Sequence, residues 1–229
     1  MSYDVPFLST IWQLWKCRNR FVFNGEHIPA AALCDTICDY ARDTYKAMVC
    51  NIFVSMREPR WICWYPPDPP FYKLNTDGSR IQDTGFASAG GVLRDQSGVF
   101  VQCYSVNIGL VSIFLAELWG CREGLILCKN KGLKHVVVEM DSLSAVQVIN
   151  GPKEQDSLSA VLVSDIRRFR FEFDSIIIQH TPHEANSAAD LLAGIGHSLP
   201  IGTTVFDSPP PGLNAFLERD MLGVAFLRH

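Results

Sequence analysis

The chain has no run approaching ~18 uninterrupted apolar residues, so no membrane-spanning helix is expected. It also lacks a basic surplus: 20 Lys and Arg stand against 24 Asp and Glu, a formal charge of −4. That excludes a protein that coats nucleic acid through overall charge, while leaving room for a local grip. With 48% hydrophobic and 19% charged residues over 229 positions, it is too apolar for a disordered chain. It is also long enough to bury a core without disulfides or a structural metal. Residues 1–6 show no basic segment leading into an apolar run, so no secretory signal is read and a nuclear or cytoplasmic location is expected. The eight cysteines have no second pair at zinc-ribbon distance from Cys34 and Cys38, even with His27 and Cys50 nearby. They read as reduced packing thiols rather than disulfides or a zinc site.

Three zones are present. Residues 1–64 are rich in Trp and Cys and read as a helical extension, with a basic cluster of Lys16, Arg18 and Arg20 and a second helix from about Pro29 to Met56. The segment Trp64-Tyr65-Pro66-Pro67-Asp68-Pro69-Pro70 acts as a stiff linker. From Phe71 the pattern changes to strands: Phe71 to Asp77, then Phe86 to Arg94 and Gly98 to Asn107 as a hairpin around Asp95-Gln96-Ser97-Gly98. A long helix over 112–130 carries Ala116, Gly120 and Gly124 four apart, a stripe that lets its backbone lie close on a sheet. Strands at His135–Met140 and Asp174–Gln179 alternate with helices ending at Asn150, Phe169 and Gly194, and residues 199–229 read as a tail. The order predicts an α/β (α+β) layer: a five-stranded mixed sheet flanked by helices, with the main domain at 65–198.

Four acids fall at informative places. Asp77 ends the first strand before Gly78, Glu117 sits in the early turns of the long helix, Asp141 follows the fourth strand, and Asp190 lies on the last helix. Each has apolar or small neighbours, an odd setting for a carboxylate kept for solubility. Carboxylates that converge without Lys or Arg repel one another unless a hard divalent cation neutralises them, and oxygen-only ligands suit magnesium or manganese better than zinc. Taken singly, each has a structural reading: Asp77 as a turn former, Asp141 as a helix cap, Glu117 as a helix-start acid.

The segments Asn75-Thr76-Asp77-Gly78-Ser79, Ala89 to Gly98, Leu115-Ala116-Glu117-Leu118, Glu139-Met140-Asp141-Ser142 and Asn186 to Ala193 together resemble type 1 ribonuclease H. The branch is that of plant non-LTR retroelement, reverse transcriptase-like proteins, and Leu14 to Arg20 is similar to the segment that precedes the domain there. The resemblance implies a ribonuclease H-like fold in which Asp77, Glu117, Asp141 and Asp190 hold two Mg2+ (or Mn2+) ions. It implies endonucleolytic cleavage of the RNA strand of an RNA–DNA hybrid, leaving a 3′-hydroxyl and a 5′-phosphate. His180, ten residues before Asp190, matches the loop histidine that moves protons in many members, with His183 as a second candidate. Gly78, Ser79, Ser142 and Asn186 fall at substrate-contacting positions. A monomer that meets nucleic acid and no membrane is expected.

Two departures favour an alternative, a catalytically weak or inactive nucleic-acid-binding module derived from a retroelement. Ile113 and Phe114 stand where bacterial members carry hybrid-contacting Asn residues, and a basic protruding helix is missing. Arg167, Arg168 and Arg170 read as a solvated helix edge. Trp61, Trp64 and Tyr65 read as sealing the sheet beside the linker, and Glu139, on the strand face of Asp141, as a hydrogen-bonding neighbour.

Overall fold

The computed structural model describes residues 60–152 and 158–228, with scattered positions between 10 and 37. The chain divides into a unit over residues 1–60 and a larger one over 61–228. In the first, residues 14–19 are helical. Most of the helix expected between Pro29 and Met56, and Cys38 with it, lies outside the described residues.

In the larger unit, β2 (Tyr72–Arg80), β3 (Phe86–Arg94) and β4 (Phe100–Leu110) form an antiparallel meander. The turn after β3 is tied as its sequence predicts: Asp95 Oδ1 accepts from the amides of Ser97 and Val99, and Gly98 takes a positive φ of 79°. Helix α1 (Ile113–Asn130) starts at Ser112, whose hydroxyl accepts from the Leu115 amide. It leads to β5 (His135–Met140), α2 (Leu143–Asn150), α3 (Leu158–Phe169), β6 (Ser175–His180) and α4 (Ser187–Gly196). Strands β2, β5 and β6 run parallel, as the intervening helices require.

Two features of the sheet differ from the sequence reading. Strand β2 continues three residues past Asp77, because Gly78, Ser79 and Arg80 pair with Ala89, Ser88 and Ala87. The sheet also extends beyond Ser198, where a tail was expected. Strand β7 (Gly202–Phe206) pairs antiparallel with β4, so the order is β6-β5-β2-β3-β4-β7 and the expected five strands gain a sixth. Helix α5 (Leu213–Met221) then packs Leu213 and Leu217 with Val92, Cys103 and Leu192. A small separate sheet joins β1 (Arg60–Ile62) to β8 (Phe226–Arg228).

The sheet separates two cores. Leu74, Leu93, Leu118, Leu125, Val138 and Ile166 are among the buried residues of the α1 side. The α4 side is smaller and holds the cluster around Leu213. Glycines set how closely the helices approach: a β-carbon on Gly90 would stand 2.4 Å from the Ala193 nitrogen of α4, and one on Gly124 would stand 2.6 Å from Leu74. The small-residue stripe on α1 thus lies on the sheet, as its spacing predicts. Arg167 differs from its expected solvated edge: its guanidinium donates to the carbonyls of Val148, Ile149 and Gly151 and closes the C-terminus of α2.

Candidate active site

Residues two apart on a strand share a face. On β2, Asn75, Asp77 and Ser79 therefore point to the α4 side, while Gly78 points to α1. Helix α4 runs along this face. Asn186, just before it, accepts from Asn75 at 3.3 Å, and His197, just after it, contacts the Ser79 hydroxyl at 3.0 Å. Asp190 in its first turn lies close enough to Asp77 to raise that carboxyl's pKa. Glu117 comes from the opposite side, on α1 where Gly78 admits the helix backbone.

The result is a convergence of acids. Asp77, Glu117 and Asp141 each offer an oxygen, and these oxygens all lie within 4.8 Å of one another. Asp77 and Glu117 are buried, at 4% and 6% exposure, and Asp141 is half-buried. Asp190 is exposed and stands outside that trio.

Burial, then the nearby charges of Glu117, Asp141 and Asp190, pushes Asp77 up to about 10. Burial and Asp141 push Glu117 up to about 8, offset in part by the Gly78 amide. Glu117 Oε2 is buried with no hydrogen-bond partner among the described residues. An unpaired buried carboxylate oxygen beside two more acids is costly without a cation. All the donors are oxygens, so the residues present fit hard divalent ions such as magnesium or manganese.

The two histidines separate. His183 opens a 3-10 turn (His183–Ala185), and its Nδ1 lies 2.8 Å from Asp141 Oδ2. That hydrogen bond is the largest influence raising its pKa. His180 ends β6 and is exposed. The offset from Asp190 pointed to His180; the contact to Asp141 belongs to His183.

Of the four residues at substrate-contacting positions, Asn186 is corrected. It is 1% exposed, its Oδ1 accepts from Asn75, and its Nδ2 donates to the Thr76 carbonyl at 3.0 Å, so the amide is buried away from any ligand. Gly78 and Ser79 are half-buried beside Asp77. Ser142, also half-buried, caps α2 by accepting from the Ala145 amide. Among the three aromatics, Trp64 is buried and donates to Asn75 at 2.9 Å, whereas Trp61 and Tyr65 are 69% and 67% exposed and seal nothing. Glu139 bonds Lys73, Asn75 and Gln179, as its bland reading holds.

Residues 75–195, which carry all four acids, match the reverse transcriptase-like family. The chain belongs to that family. A curated relative from Arabidopsis thaliana, named "Putative ribonuclease H protein At1g65750", is 34% identical over 227 residues, or 96% of this chain. The chain spans 36% of that relative's length. The N-terminal ribonuclease H domain of rv2228c from Mycobacterium tuberculosis superposes with a TM-score of 0.53 at 23% identity, covering 56% of this chain and 94% of that one. Ribonuclease H1 from Halobacterium salinarum gives 0.53 at 22% identity, covering 56% and 98%. The fold of the family member described here is therefore that of ribonuclease H. Among the described residues, no helix is long and apolar enough to cross a membrane.

Proposed function

We propose that this chain is a ribonuclease that cuts the RNA strand of an RNA–DNA hybrid endonucleolytically. Asp77, Glu117, Asp141 and Asp190 would hold two magnesium or manganese ions. One observation carries the reading: three carboxylates meet at a largely buried point, and the influences on Asp77 all raise its pKa, with no lysine or arginine among them to offset the repulsion. When bound, such ions activate a water and neutralise charge that builds on the phosphate being cut.

The protein's own residues supply the rest. His183 Nδ1 holds Asp141 Oδ2, so that acid is oriented before a ligand arrives. Exposed His180 would carry a proton between solvent and the leaving oxygen. Gly78, Ser79 and Ser142, next in sequence to Asp77 and Asp141, would contact the substrate. Preference for RNA would come from 2′-hydroxyl contacts rather than from base edges, so sequence preference is weak. The four acids come from one chain, and the proposed site needs no second copy. The name of the Arabidopsis relative and the family match support this reading.

The test is incubation of an RNA-labelled hybrid with magnesium, beside Asp77→Asn and beside all-RNA and all-DNA duplexes. Cleavage of the hybrid by the wild type, lost in Asp77→Asn, is the expected result. Equal signal from both proteins removes the catalytic reading. Hybrid bound but cut by neither leaves the alternative, a retroelement-derived binding module, which the apolar Ile113 and Phe114 would suit.

A further inference from the structure

Beneath the acids, on the α4 side of the sheet, lies a chain of buried polar groups that reaches the C-terminal helix. Asn75 is fully buried and uses its amide completely. Its Oδ1 accepts from Trp64 Nε1 at 2.9 Å and from Arg94 Nη2 at 2.8 Å. Its Nδ2 donates to Glu139 Oε2 at 3.0 Å and to Asn186 Oδ1 at 3.3 Å. With donors on one side and acceptors on the other, the amide has one orientation.

That orientation fixes the next amide. Asn186 must present Oδ1 to Asn75, so its Nδ2 donates to the Thr76 carbonyl, in the peptide unit that leads into Asp77. The Asn186 backbone carbonyl accepts from the Ala189 and Asp190 amides. One residue thus tethers both the strand carrying Asp77 and the turn carrying Asp190.

At the other end, Arg94 is 0% exposed, and its guanidinium stacks 3.6 Å from the Trp64 ring centroid. Its Nη1 meets Asp220 Oδ2 on α5 at 2.7 Å, with the Asp220 side chain 5% exposed. A buried guanidinium needs a carboxylate, and here Asp220 supplies it. Asp220 lies outside residues 75–195, the span that matches the family.

We propose that Asp220 is a positioning residue of the metal centre: through Arg94, Asn75 and Asn186 it sets the separation of Asp77 and Asp190, so the working catalytic unit includes α5. The proposal rests on the metal-binding part of the reading above. Hydrogen-bonded supports of metal ligands change affinity by about 10–100-fold when removed.

The experiment is a magnesium titration by calorimetry on the full chain, comparing wild type, Asp220→Asn and Leu217→Ala. Leu217 is a buried apolar residue of the same helix that belongs to the Leu213 cluster. Asp220→Asn is expected to bind magnesium about 10-fold more weakly, while Leu217→Ala loses melting temperature yet keeps the wild-type affinity. Affinity in Asp220→Asn within two-fold of wild type, or an equal weakening in Leu217→Ala, overturns the proposal. Should Asp220→Asn not fold, nuclear magnetic resonance of the wild type decides: the Arg94 guanidinium and Asn75 side-chain amide signals are expected to shift with magnesium at the midpoint of the Asp141 amide. Signals that stay still overturn it. These readouts do not use hybrid cleavage, so a protein that shows the coupling but cuts nothing drops the nuclease reading and keeps this one.

Discussion

Gly78 and Glu117 meet with no room for a side chain: a β-carbon at position 78 would lie 2.6 Å from the Glu117 backbone nitrogen and 2.9 Å from the Ala116 carbonyl carbon. The close approach carries Glu117 across the sheet edge to Asp77. Gly78→Ala forces α1 outward, and overpacking of this kind costs about 1–3 kcal/mol. Urea unfolding of the metal-free variant is expected to show a loss of that size, with weaker magnesium binding in the same sample. An unchanged midpoint and unchanged binding would mean that α1 has slack the structure does not show.

The acid trio links stability to pH. Folding raises Asp77 to about 10 and Glu117 to about 8, both well above their unfolded values near 4. The folded state therefore binds more protons than the unfolded state between those limits, and stability falls as pH rises. Their contribution is full below about pH 4 and is lost as pH climbs through the folded values. Metal-free protein is expected to melt at progressively lower temperature from pH 5 to pH 9, and millimolar magnesium to flatten the slope. Asp77→Asn removes the group under the greatest strain and is expected to stabilise metal-free protein at pH 8 by roughly 2 kcal/mol. A variant less stable than wild type there would contradict the account.

His183 gives a reading of the same site from its rim. Its hydrogen bond to Asp141 raises its pKa, so its contribution is present below the ordinary histidine value and is lost as pH rises through the folded one. Titrated by nuclear magnetic resonance without metal, the His183 ring is expected to lose its proton at higher pH than a free histidine. In Asp141→Asn it is expected to move back toward the free value. No movement would mean the 2.8 Å contact is not held in solution.

Much of this centre is legible in the sequence because local signals place it. Asp77 precedes a glycine at the close of a strand pattern, Asp141 follows a β-branched strand, and Glu117 sits on a stripe of small residues that identifies the helix face against the sheet. The cap read at Asp141 falls one residue later, on Ser142. What stays hidden depends on distant partners. Asp220 belongs to a charged triplet with Glu218 and Arg219, and its buried partner Arg94 lies 126 positions earlier. Strand β7 is short, mostly exposed and set between Pro200 and the prolines at 209–211, so no alternation marks it. The offset that selected His180 counts residues along the chain, whereas the 3-10 turn brings His183 back to Asp141. Asn186 shows the reverse error: its place beside the acids suggested a ligand contact, and burial turned it into a strut.

The C-terminal segment gives the last prediction. Leu213 is fully buried against Val92, Cys103 and Leu192, and β7 covers the open edge of β4. Leu213→Ala removes packed atoms and leaves a cavity, a change that costs about 2–5 kcal/mol. A chain ended after Ser198 loses more: this cluster loses Leu213 and Leu217, β4 becomes an unpaired edge, and Arg94 is left without Asp220. Thermal unfolding is expected to rank wild type above Leu213→Ala and both above the shortened chain, which is expected to aggregate on size-exclusion chromatography. A shortened chain that elutes as a monomer with wild-type melting would show that the sheet closes without its sixth strand, and would move the boundary of the folded unit back to Ser198.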